Sequence, residues 1–513
     1  MKPGIILALL AFIAVDFPAA AADPPQSAQA LAVNGSRSPS VKVQLRTGTG
    51  YRVVDLPIEL YVRAVLAGES SVFQSAEALK AMAVAARTYA VKTRRRHAAE
   101  GFDFCDTTHC QRLELDNIGS RLRDAASETA GELLWYRGTP AFTPYTRDCG
   151  GRSEDVTSIW PDQVAPYLKS HDDPYCVRSG TSGWQWSADP RKIVQALGAS
   201  ALRGPGDLDR VSILSHTPSG RVSILDLQGP SGSVRVSADS FRFAVGRELG
   251  WNTLRSDRYQ VHASNGRVTF EGQGSGHGVG LCQRGAESMG MDGRAYRDIL
   301  AFYYPGTVVG LTAQGLSWQR LSGDSMNLRT TNSGQDQAVL ASAERIERRL
   351  AERTGWPSPQ KLELRVYPDV ETFRNATGEP GWVAAYTQGR TIHMQPAALL
   401  RSKGTLDSTL THELAHAFVE SQSSASLPLW FEEGLAAFLE QGRGTATARI
   451  PDETDLRQTA DAARARRAYA NAQAEVGALI ERYGVATVLG WVKRGVPADA
   501  VKASASQAAP NIK

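Results

Sequence analysis

The residues best suited to chemistry lie in the run THELAH at 411–416, which contains an H-E-x-x-H pattern. On a helix, His412 and His416 are one turn apart on the same face, where two imidazoles can hold one Zn²⁺. Glu413 is then placed to take a proton from a zinc-bound water. Glu433, in the run LPLWFEEGLAAFLE, supplies a carboxylate from a second helix and completes a His₂Glu set with one open position. The alternative is a pair of structural histidines on a buried helix.

A second set of zinc-type ligands occurs in the run CDTTHCQ at 105–111. Cys105, His109 and Cys110 place two thiolates and an imidazole in one short loop, so a fourth ligand must come from elsewhere, and Cys282 is a candidate. The alternative is a local disulfide between Cys105 and Cys110, which an oxidising compartment would permit.

The chain has five cysteines, and an odd number leaves at least one thiol free, metal-bound or paired with another chain. If Cys105 and Cys110 bind one zinc ion or form a disulfide with each other, Cys149 and Cys176 are expected to pair as a disulfide. Cys282 then remains as the odd thiol or as a metal ligand.

Glu69 follows Gly68 at the junction of two predicted helices, where a carboxyl can face a groove. Partial burial raises the pKa of a carboxyl, and such a group can protonate the leaving oxygen of a glycosidic bond. A glycoside hydrolase would need a second carboxylate. A lytic transglycosylase needs only one, because the same group can then deprotonate the 6-hydroxyl of the sugar. The alternative is a surface or capping glutamate.

His277 lies in GSGHGVG, a glycine-rich run whose backbone can approach a polymer closely. The ring could orient a sugar hydroxyl or the catalytic acid, and the alternative is an incidental histidine in a tight turn. No G-K-[ST] follows, so the run is not a phosphate-binding loop.

These residues must be positioned by more than one domain, because 513 residues exceed what a single core supports. Short apolar or alternating runs predict strands over most of 131–270, and helices are predicted at 58–67 and 76–97, the latter capped by Ser75. Beyond a polar stretch at 313–335 the pattern is helical, with a strand at 362–367 and a hairpin across 382–394. The net charge of +4 gives no reason to expect a nucleic-acid partner.

The first residues predict export. A lysine precedes a short apolar run that is too brief to span a bilayer, and small residues follow it, which is typical of a signal peptide at 1–22. Residues 23–40 are rich in proline, serine and alanine and are expected to be a linker. The mature protein is therefore expected in the periplasm or outside the cell.

Three runs in the N-terminal half, EALKAMAVAARTY, CDTTHCQ and GHGVGLCQRGA with its closing YYPG, resemble the SpoIID/LytB family of stage II sporulation protein D and amidase enhancers. The resemblance spans residues 41–312. It implies lytic transglycosylase action on peptidoglycan strands stripped of stem peptides, or enhancement of an amidase. It also implies a catalytic Glu69 and zinc at the Cys105 motif. The family usually has Met-Pro where this chain has Ser70-Ser71.

The runs HELAHAF, LPLWFEEGLA and ERYGVATVLGWVKRG resemble gluzincin peptidases of the MA-like type over 336–495. The resemblance implies that Glu433, not Glu432, is the third zinc ligand. It also implies that 382–394 includes the edge strand that binds an extended peptide, and Tyr469 is a candidate for stabilising an oxyanion.

We therefore expect an α+β chain of two domains: a mixed, strand-rich SpoIID-like domain at 41–312, and a mainly helical zincin-like domain with a small sheet at 336–495. Residues 313–335 would form a linker and 496–513 a disordered tail. The expected partners are peptidoglycan glycan strands, a peptide or protein substrate and a cell-wall amidase, and the expected cofactor is Zn²⁺. The alternative function is a peptidoglycan-binding regulatory protein in which only the C-terminal site, or neither site, is active.

Overall fold

The computed structural model describes residues 6–7, 40–47, 50–116, 118–202, 204–264, 266–424, 426–457 and 461–500. The chain divides into two compact units, Val41–Leu316 and Ser317–Lys513, with Met1–Ser40 assigned to the second. The predicted signal peptide and first linker lie outside the described residues, apart from residues 6–7 and 40. The expected α+β class is confirmed, and within the described residues no helix is both long and apolar enough to cross a membrane.

The first strand of the chain is β1 (Ile6–Leu7), and the other elements before residue 317 belong to the first unit. In order these are β2 (Ser40–Thr47), β3 (Gly50–Pro57), α1 (Ile58–Glu69), α2 (Ala76–Lys92), β4 (Phe104–Cys105), α3 (Ser120–Glu128), β5 (Leu133–Tyr136), β6 (Thr139–Pro140), β7 (Tyr145–Thr146), α4 (Val156–Ile159), α5 (Pro174–Arg178), β8 (Gly183–Ala188), α6 (Pro190–Ala199), β9 (Arg210–His216), β10 (Val222–Gly229), β11 (Gly232–Ser237), α7 (Ala238–Leu249), β12 (Tyr259–Ser264), β13 (Arg267–Gln273), β14 (Leu281–Cys282), α8 (Gln283–Met291), α9 (Tyr296–Tyr303) and β15 (Val308–Gly310).

Helix α2 is the centre of the first unit. Its alanines allow close approach of its neighbours, and residues 78, 79 and 81–90 are buried. Ser75 caps the helix as predicted, with its hydroxyl accepting from the N–H of Ala78. The helix ends at Lys92 and not at His97 as expected: the hydroxyl of Thr93 bonds to the carbonyl of Tyr89, and Arg95 takes a left-handed φ of 69°. This early end frees His97 to turn toward another segment.

Small sheets surround this helical core. β2 pairs with β3 and β4, β5 with β6 and β15, and β7 with β14. Two three-stranded antiparallel sheets, β11-β10-β9 and β12-β13-β8, share a separate hydrophobic cluster with α6 and α7. The strand-rich character predicted for 131–270 is therefore confirmed.

The elements of the second unit after β1 are mainly helical. In order these are β16 (Gln319–Ser322), β17 (Met326–Thr330), α10 (Ser333–Thr354), β18 (Leu362–Val366), α11 (Val370–Thr377), β19 (Ala385–Gln388), β20 (Thr391–Met394), α12 (Ala397–Ser402), α13 (Leu406–Gln422), α14 (Leu429–Gln441), α15 (Glu453–Arg457), α16 (Ala462–Tyr483) and α17 (Val485–Arg494).

One six-stranded sheet, in the order β1-β19-β20-β18-β17-β16, packs with α10 and α13 around the core of this unit. β19 and β20 form the predicted hairpin, and β18 matches the predicted strand. The expected linker at 313–335 is wrong, because β16 and β17 lie within it and α10 begins at Ser333. This segment is polar overall, but burial alternates along β17, where Met326, Leu328 and Thr330 are buried and the residues between them are not.

The expected tail at 496–513 also requires correction. Val496 packs against the core of the second unit, and Ala500 is 2% exposed within it. Residues 501–513 lie outside the described part of the chain.

Candidate functional sites

The H-E-x-x-H run lies in the middle of α13, and its side chains are buried. The Nε2 atoms of His412 and His416 are 3.1 Å apart. Glu433, on α14, places Oε2 3.6 Å from Nε2 of His412 and 3.3 Å from Nε2 of His416. Helix geometry places the two histidines on one face, and the crossing of α13 with α14 brings in the carboxylate. The three predicted ligands therefore converge on one point.

The donor set fits a zinc ion. Two imidazole nitrogens and a carboxylate oxygen are ordinary zinc ligands, and three protein ligands leave a fourth position open. Both carboxylate oxygens of Glu433 and Nδ1 of His416 are buried without a hydrogen-bond partner among the described residues. Buried polar atoms are normally satisfied, so the unsatisfied carboxylate of Glu433 beside the Nε2 atoms of His412 and His416 favours a cation at that point.

Glu440 supports this centre and was missed by the sequence analysis. Its Oε2 lies 3.0 Å from Nδ1 of His412, on the side of the ring that faces away from His416. A carboxylate in that position fixes the orientation and tautomer of a metal-binding histidine. The signal was available, because Glu440 follows Glu433 by two helical turns on α14 and so shares its face.

Glu413 faces the edge hairpin. Its Oε2 accepts a hydrogen bond of 2.6 Å from the hydroxyl of Thr387 on β19, while Oε1 has no hydrogen-bond partner in the described part of the chain. Burial raises the pKa of Glu413 to about 8. Tyr469, the predicted oxyanion residue, is buried on α16, and its hydroxyl contacts the carbonyl of Leu456 at 3.5 Å.

The predicted Cys105–His109–Cys110 loop gains a fourth group that the sequence analysis did not identify. Nε2 of His97 lies 3.3 Å from Sγ of Cys110, and Nδ1 of His109 lies 3.8 Å from Sγ of Cys105. The four ligand atoms lie within 4.8 Å of one another. The set is Cys₂His₂, which suits tetrahedral zinc. The only advance signal was a histidine eight residues before the first cysteine, at the end of a basic run.

Two expectations about this loop change. The suggested fourth ligand, Cys282, lies in a different cluster, and His97 takes the place expected for it. Cys105 and Cys110 are free thiols, so the alternative of a local disulfide is not what the structure has. The hydrogen bond from Cys110 lowers the pKa of Cys105 to about 3, which favours the thiolate that binds metal.

Glu69 is the last residue of α1. Its Oε1 accepts a hydrogen bond of 2.9 Å from the backbone N–H of Arg112, two residues beyond the Cys/His loop. Burial raises its pKa, although this N–H and the charges of Arg112 and Arg147 act in the opposite direction. Gly68 permits the approach, since a Cβ there would lie 2.4 Å from the carbonyl oxygen of Arg112. A carboxyl held in this way can act as a proton donor.

A buried polar network connects this region to the core. The side chain of Gln111 accepts from the hydroxyl of Tyr61 at 2.9 Å and donates to the hydroxyl of Tyr145 at 3.2 Å. Gln111 lies between Cys110 of the Cys/His loop and Arg112, whose N–H donates to Glu69. The loop therefore fixes the backbone segment that holds Glu69.

His277 is held by its own loop. Nδ1 accepts from the N–H of Val279 at 3.0 Å, and the ring meets Trp160 edge-on with centroids 4.9 Å apart. Burial lowers its pKa to about 3, and the cations Arg242 and Arg221 act in the same direction. The ring is therefore neutral and its Nδ1 is already used, which makes it better suited to orienting a loop than to donating a proton.

The expected disulfide between Cys149 and Cys176 is wrong. Both are free thiols, and both are fully buried beside Cys282 and the carboxylate of Asp173. Cys282 is therefore not a leftover thiol but one member of a group of four.

Comparisons with known proteins bear on the first unit. Residues 47–136 match the family model described as SpoIID, stage II sporulation protein. Stage II sporulation protein D of Bacillus subtilis is 28% identical over 273 residues, which cover 50% of this chain and 75% of that protein. An uncharacterized protein of Brachyspira hyodysenteriae is 29% identical over 256 residues, covering 50% of this chain and 67% of the relative.

The amidase enhancer of Bacillus subtilis is 27% identical over 288 residues, which cover 48% of this chain but only 40% of that protein. Each of these alignments covers about half of the chain. The family-model match and these relatives together support a similarity between this chain and the SpoIID/LytB family, which includes stage II sporulation protein D and the amidase enhancers.

Proposed function

We propose that this chain is an exported cell-wall remodelling protein. Its first unit cleaves the glycan strands of peptidoglycan as a lytic transglycosylase, and its second unit hydrolyses peptide bonds with zinc. The similarity to SpoIID proteins and an amidase enhancer supports the cell-wall setting. The observation that carries the peptidase half is the convergence of His412, His416 and Glu433 on one point.

In the first unit, Glu69 donates its proton to the glycosidic oxygen as the bond from that oxygen to the anomeric carbon breaks. The resulting carboxylate then removes the proton from the 6-hydroxyl of the same sugar, whose oxygen forms the new bond to the anomeric carbon. The products are a free sugar hydroxyl and an anhydro end, with no water consumed. A raised pKa suits the first step, because the carboxyl must be protonated when the bond breaks.

In the second unit, His412, His416 and Glu433 would hold zinc, and zinc supplies an activated water and polarises the peptide carbonyl. Glu413 would act as the general base toward the attacking water and then as the proton donor to the leaving amine. Thr387 holds one oxygen of Glu413 and leaves the other free for this transfer.

The substrate would add to β19, which becomes the edge of the sheet once the proposed signal peptide, which includes β1, is removed. In the structure, Ile6–Leu7 pairs antiparallel with Tyr386 and Thr387 on that edge. This pairing supports the proposal that β19 can bind an extended peptide by backbone hydrogen bonds. Thr387 on that strand bonds to Glu413, so a peptide bound there would lie close to the catalytic residue.

The test of the glycan activity is incubation of the purified chain with denuded glycan strands, followed by chromatography and mass spectrometry of the products. We expect anhydro-ended fragments that disappear with Glu69→Gln and persist with the control Glu248→Gln, on the exposed side of α7. Absence of anhydro ends from the wild-type digest would exclude the transglycosylase half.

The test of the peptidase half combines zinc analysis with hydrolysis of a peptide library. We expect His412→Ala to lose one zinc per chain and all zinc-dependent hydrolysis, while His262→Ala, at an exposed position on β12, changes neither. Equal zinc content in the wild type and His412→Ala would contradict the proposal.

A second candidate function for the first unit is activation of a cell-wall amidase. It is favoured by the similarity to an amidase enhancer and by Ser70-Ser71 beside Glu69. It predicts faster amidase turnover in the presence of this chain, with no anhydro products and no effect of Glu69→Gln.

A further inference from the structure

The first unit contains a third group of metal-type ligands that neither candidate site uses. Cys149, Asp173, Cys176 and Cys282 are each 0% exposed. One ligand atom from each lies within 4.8 Å of every other. The group is distinct from the Cys/His loop, because it shares no residue with it.

The four side chains come from three separate segments. Cys149 follows β7, Asp173 and Cys176 lie at the start of α5, and Cys282 ends β14 and caps α8. The carboxylate and the first thiol are in contact, with Sγ of Cys149 3.3 Å from Oδ2 of Asp173. The backbone N–H of Cys149 points at Sγ of Cys282 from 3.3 Å. The convergence is therefore a product of the fold and not of sequence spacing.

The surroundings fix Asp173 for ligation. Its Oδ1 accepts from the N–H of Cys176 at 2.9 Å, and its Oδ2 accepts from the hydroxyl of Tyr303 at 2.9 Å. Gly285 on α8 leaves the space for this arrangement, since a Cβ there would lie 2.0 Å from the Tyr303 hydroxyl and 2.6 Å from the carboxylate. Hydrogen bonds of this kind orient metal ligands.

A disulfide between two of these cysteines would leave the other two side chains of the group without a covalent partner. Any one pairing of the three cysteines leaves a third thiol and a carboxylate buried together. The Asp173 carboxylate accepts hydrogen bonds but forms no ion pair among the described residues, and burying a charge without an opposite charge is costly. One divalent cation would use all four groups at once.

We propose that Cys149, Asp173, Cys176 and Cys282 bind one Zn²⁺ as a closed tetrahedral site. Three thiolates favour zinc over magnesium or calcium. Binding forms three Zn–S bonds and one Zn–O bond and releases the three thiol protons to solvent, with no oxidation or reduction. Four buried protein ligands leave no open position, so the ion is structural.

The role of this site is to join the loop after β7 to α5 and α8. The same loop contacts the glycine-rich run: Asp148 and Ser275 exchange backbone hydrogen bonds of 3.0 and 2.8 Å. The ion therefore holds the backbone next to His277 in place. This inference stands on the cluster alone and does not depend on the proposed activities.

The main experiment uses the full chain carrying Cys105→Ser and Cys110→Ser, which removes the thiols of the Cys/His loop and leaves the buried group intact. Reconstituted with Co²⁺, this variant is expected to retain intense cobalt–thiolate charge-transfer absorption, because the three remaining cysteines of the chain all belong to the buried group. Adding Cys282→Ser should weaken that absorption and remove one metal per chain. A spectrum without thiolate bands would overturn the proposal.

A second measurement needs no variant. The wild-type chain, purified without thiol reductant and denatured with a chelator, is alkylated and mapped by mass spectrometry. We expect Cys149, Cys176 and Cys282 all to be alkylated, with one zinc released beyond those of the Cys/His loop and of the His412 centre. A disulfide between any two of these three cysteines would overturn the site.

Discussion

At the residue scale, the C-terminal centre depends on a histidine that is held from both sides. His412 has one ring nitrogen at the ligand point and the other 3.0 Å from Glu440. Because the carboxylate sets the ring orientation, its loss should weaken metal binding without removing a ligand.

We therefore predict that Glu440→Gln lowers zinc affinity by about 10- to 100-fold. Competition with a chromogenic chelator measures this directly. Glu432→Gln is the matched control, since Glu432 lies on the same helix but outside the ligand group. Equal affinities for Glu440→Gln and the wild type would contradict the role of Glu440.

Glu69 gives a prediction about pH and stability. Burial raises its pKa in the folded chain, so its carboxyl stabilises the fold most below the ordinary glutamate pKa, about 4.3. That contribution is lost as pH rises through the folded pKa. Glu69→Gln stays neutral and keeps an acceptor for the Arg112 N–H, so it should gain stability relative to wild type as pH is raised from about 4 to about 7.

Urea denaturation of both proteins across this pH range measures the difference. Glu248→Gln at an exposed position is the control for the substitution itself. A fall in the stability of Glu69→Gln relative to wild type as pH rises would contradict a raised pKa of Glu69 in the folded chain.

At the scale of elements, α13 both presents the zinc ligands and fills the core. Leu410, Leu414 and Phe418 are 0% exposed on the same helix as His412. The helix is therefore held by packing on one side while its histidines face the ligand point.

Leu410→Ala should lower the free energy of unfolding of this unit by about 2–5 kcal/mol, because it leaves a cavity in a well-packed core. Ser421→Ala, near the exposed end of the helix, should change it by about 0.5 kcal/mol or less. Chemical denaturation followed by tryptophan fluorescence distinguishes the two. A loss for Leu410→Ala no larger than that for Ser421→Ala would mean that α13 is not fixed by this core.

Helix α2 has a different constraint. The guanidinium of Arg87 is buried and forms two hydrogen bonds, of 2.8 and 2.7 Å, with the carboxylate of Glu59 on α1. Because a buried charge without its partner is costly, Arg87→Ala should destabilise the first unit by about 3–5 kcal/mol.

The matched control is the pair Glu59→Gln with Arg87→Met, which removes both charges. It should recover part of the loss in denaturant titrations. If the double variant is as unstable as or less stable than Arg87→Ala, the cost does not come from an unpaired Glu59.

At the scale of the whole molecule, no candidate centre among the described residues combines residues from both units: the two cysteine-containing groups lie in Val41–Leu316, and the His412 centre lies in Ser317–Lys513. His412→Ala should therefore lower the thermal transition of the Ser317–Lys513 unit, because that unit loses a bound metal. The transition of Val41–Leu316 should stay at the wild-type temperature. Differential scanning calorimetry at saturating zinc tests this, and an equal shift of both transitions would contradict independent stabilisation.

The sequence by itself determined the chemistry that lies within one helix or one short loop. His412 and His416 were predictable from helical spacing, Cys105 and Cys110 from a single loop, and the cap at Ser75 from local preference. These features depend on distances that the backbone fixes within a few residues. The second carboxylate, Glu433, was found because a recognisable helix carries it.

Only the tertiary structure decided the groups that assemble from distant segments. His97 joins the Cys/His loop because α2 ends early. Cys149, Asp173, Cys176 and Cys282 meet because β7, α5 and β14 converge, and the count of cysteines alone had suggested a disulfide instead. Spacing along the chain carries no information about such meetings, since long-range contacts are set by the packing of whole elements.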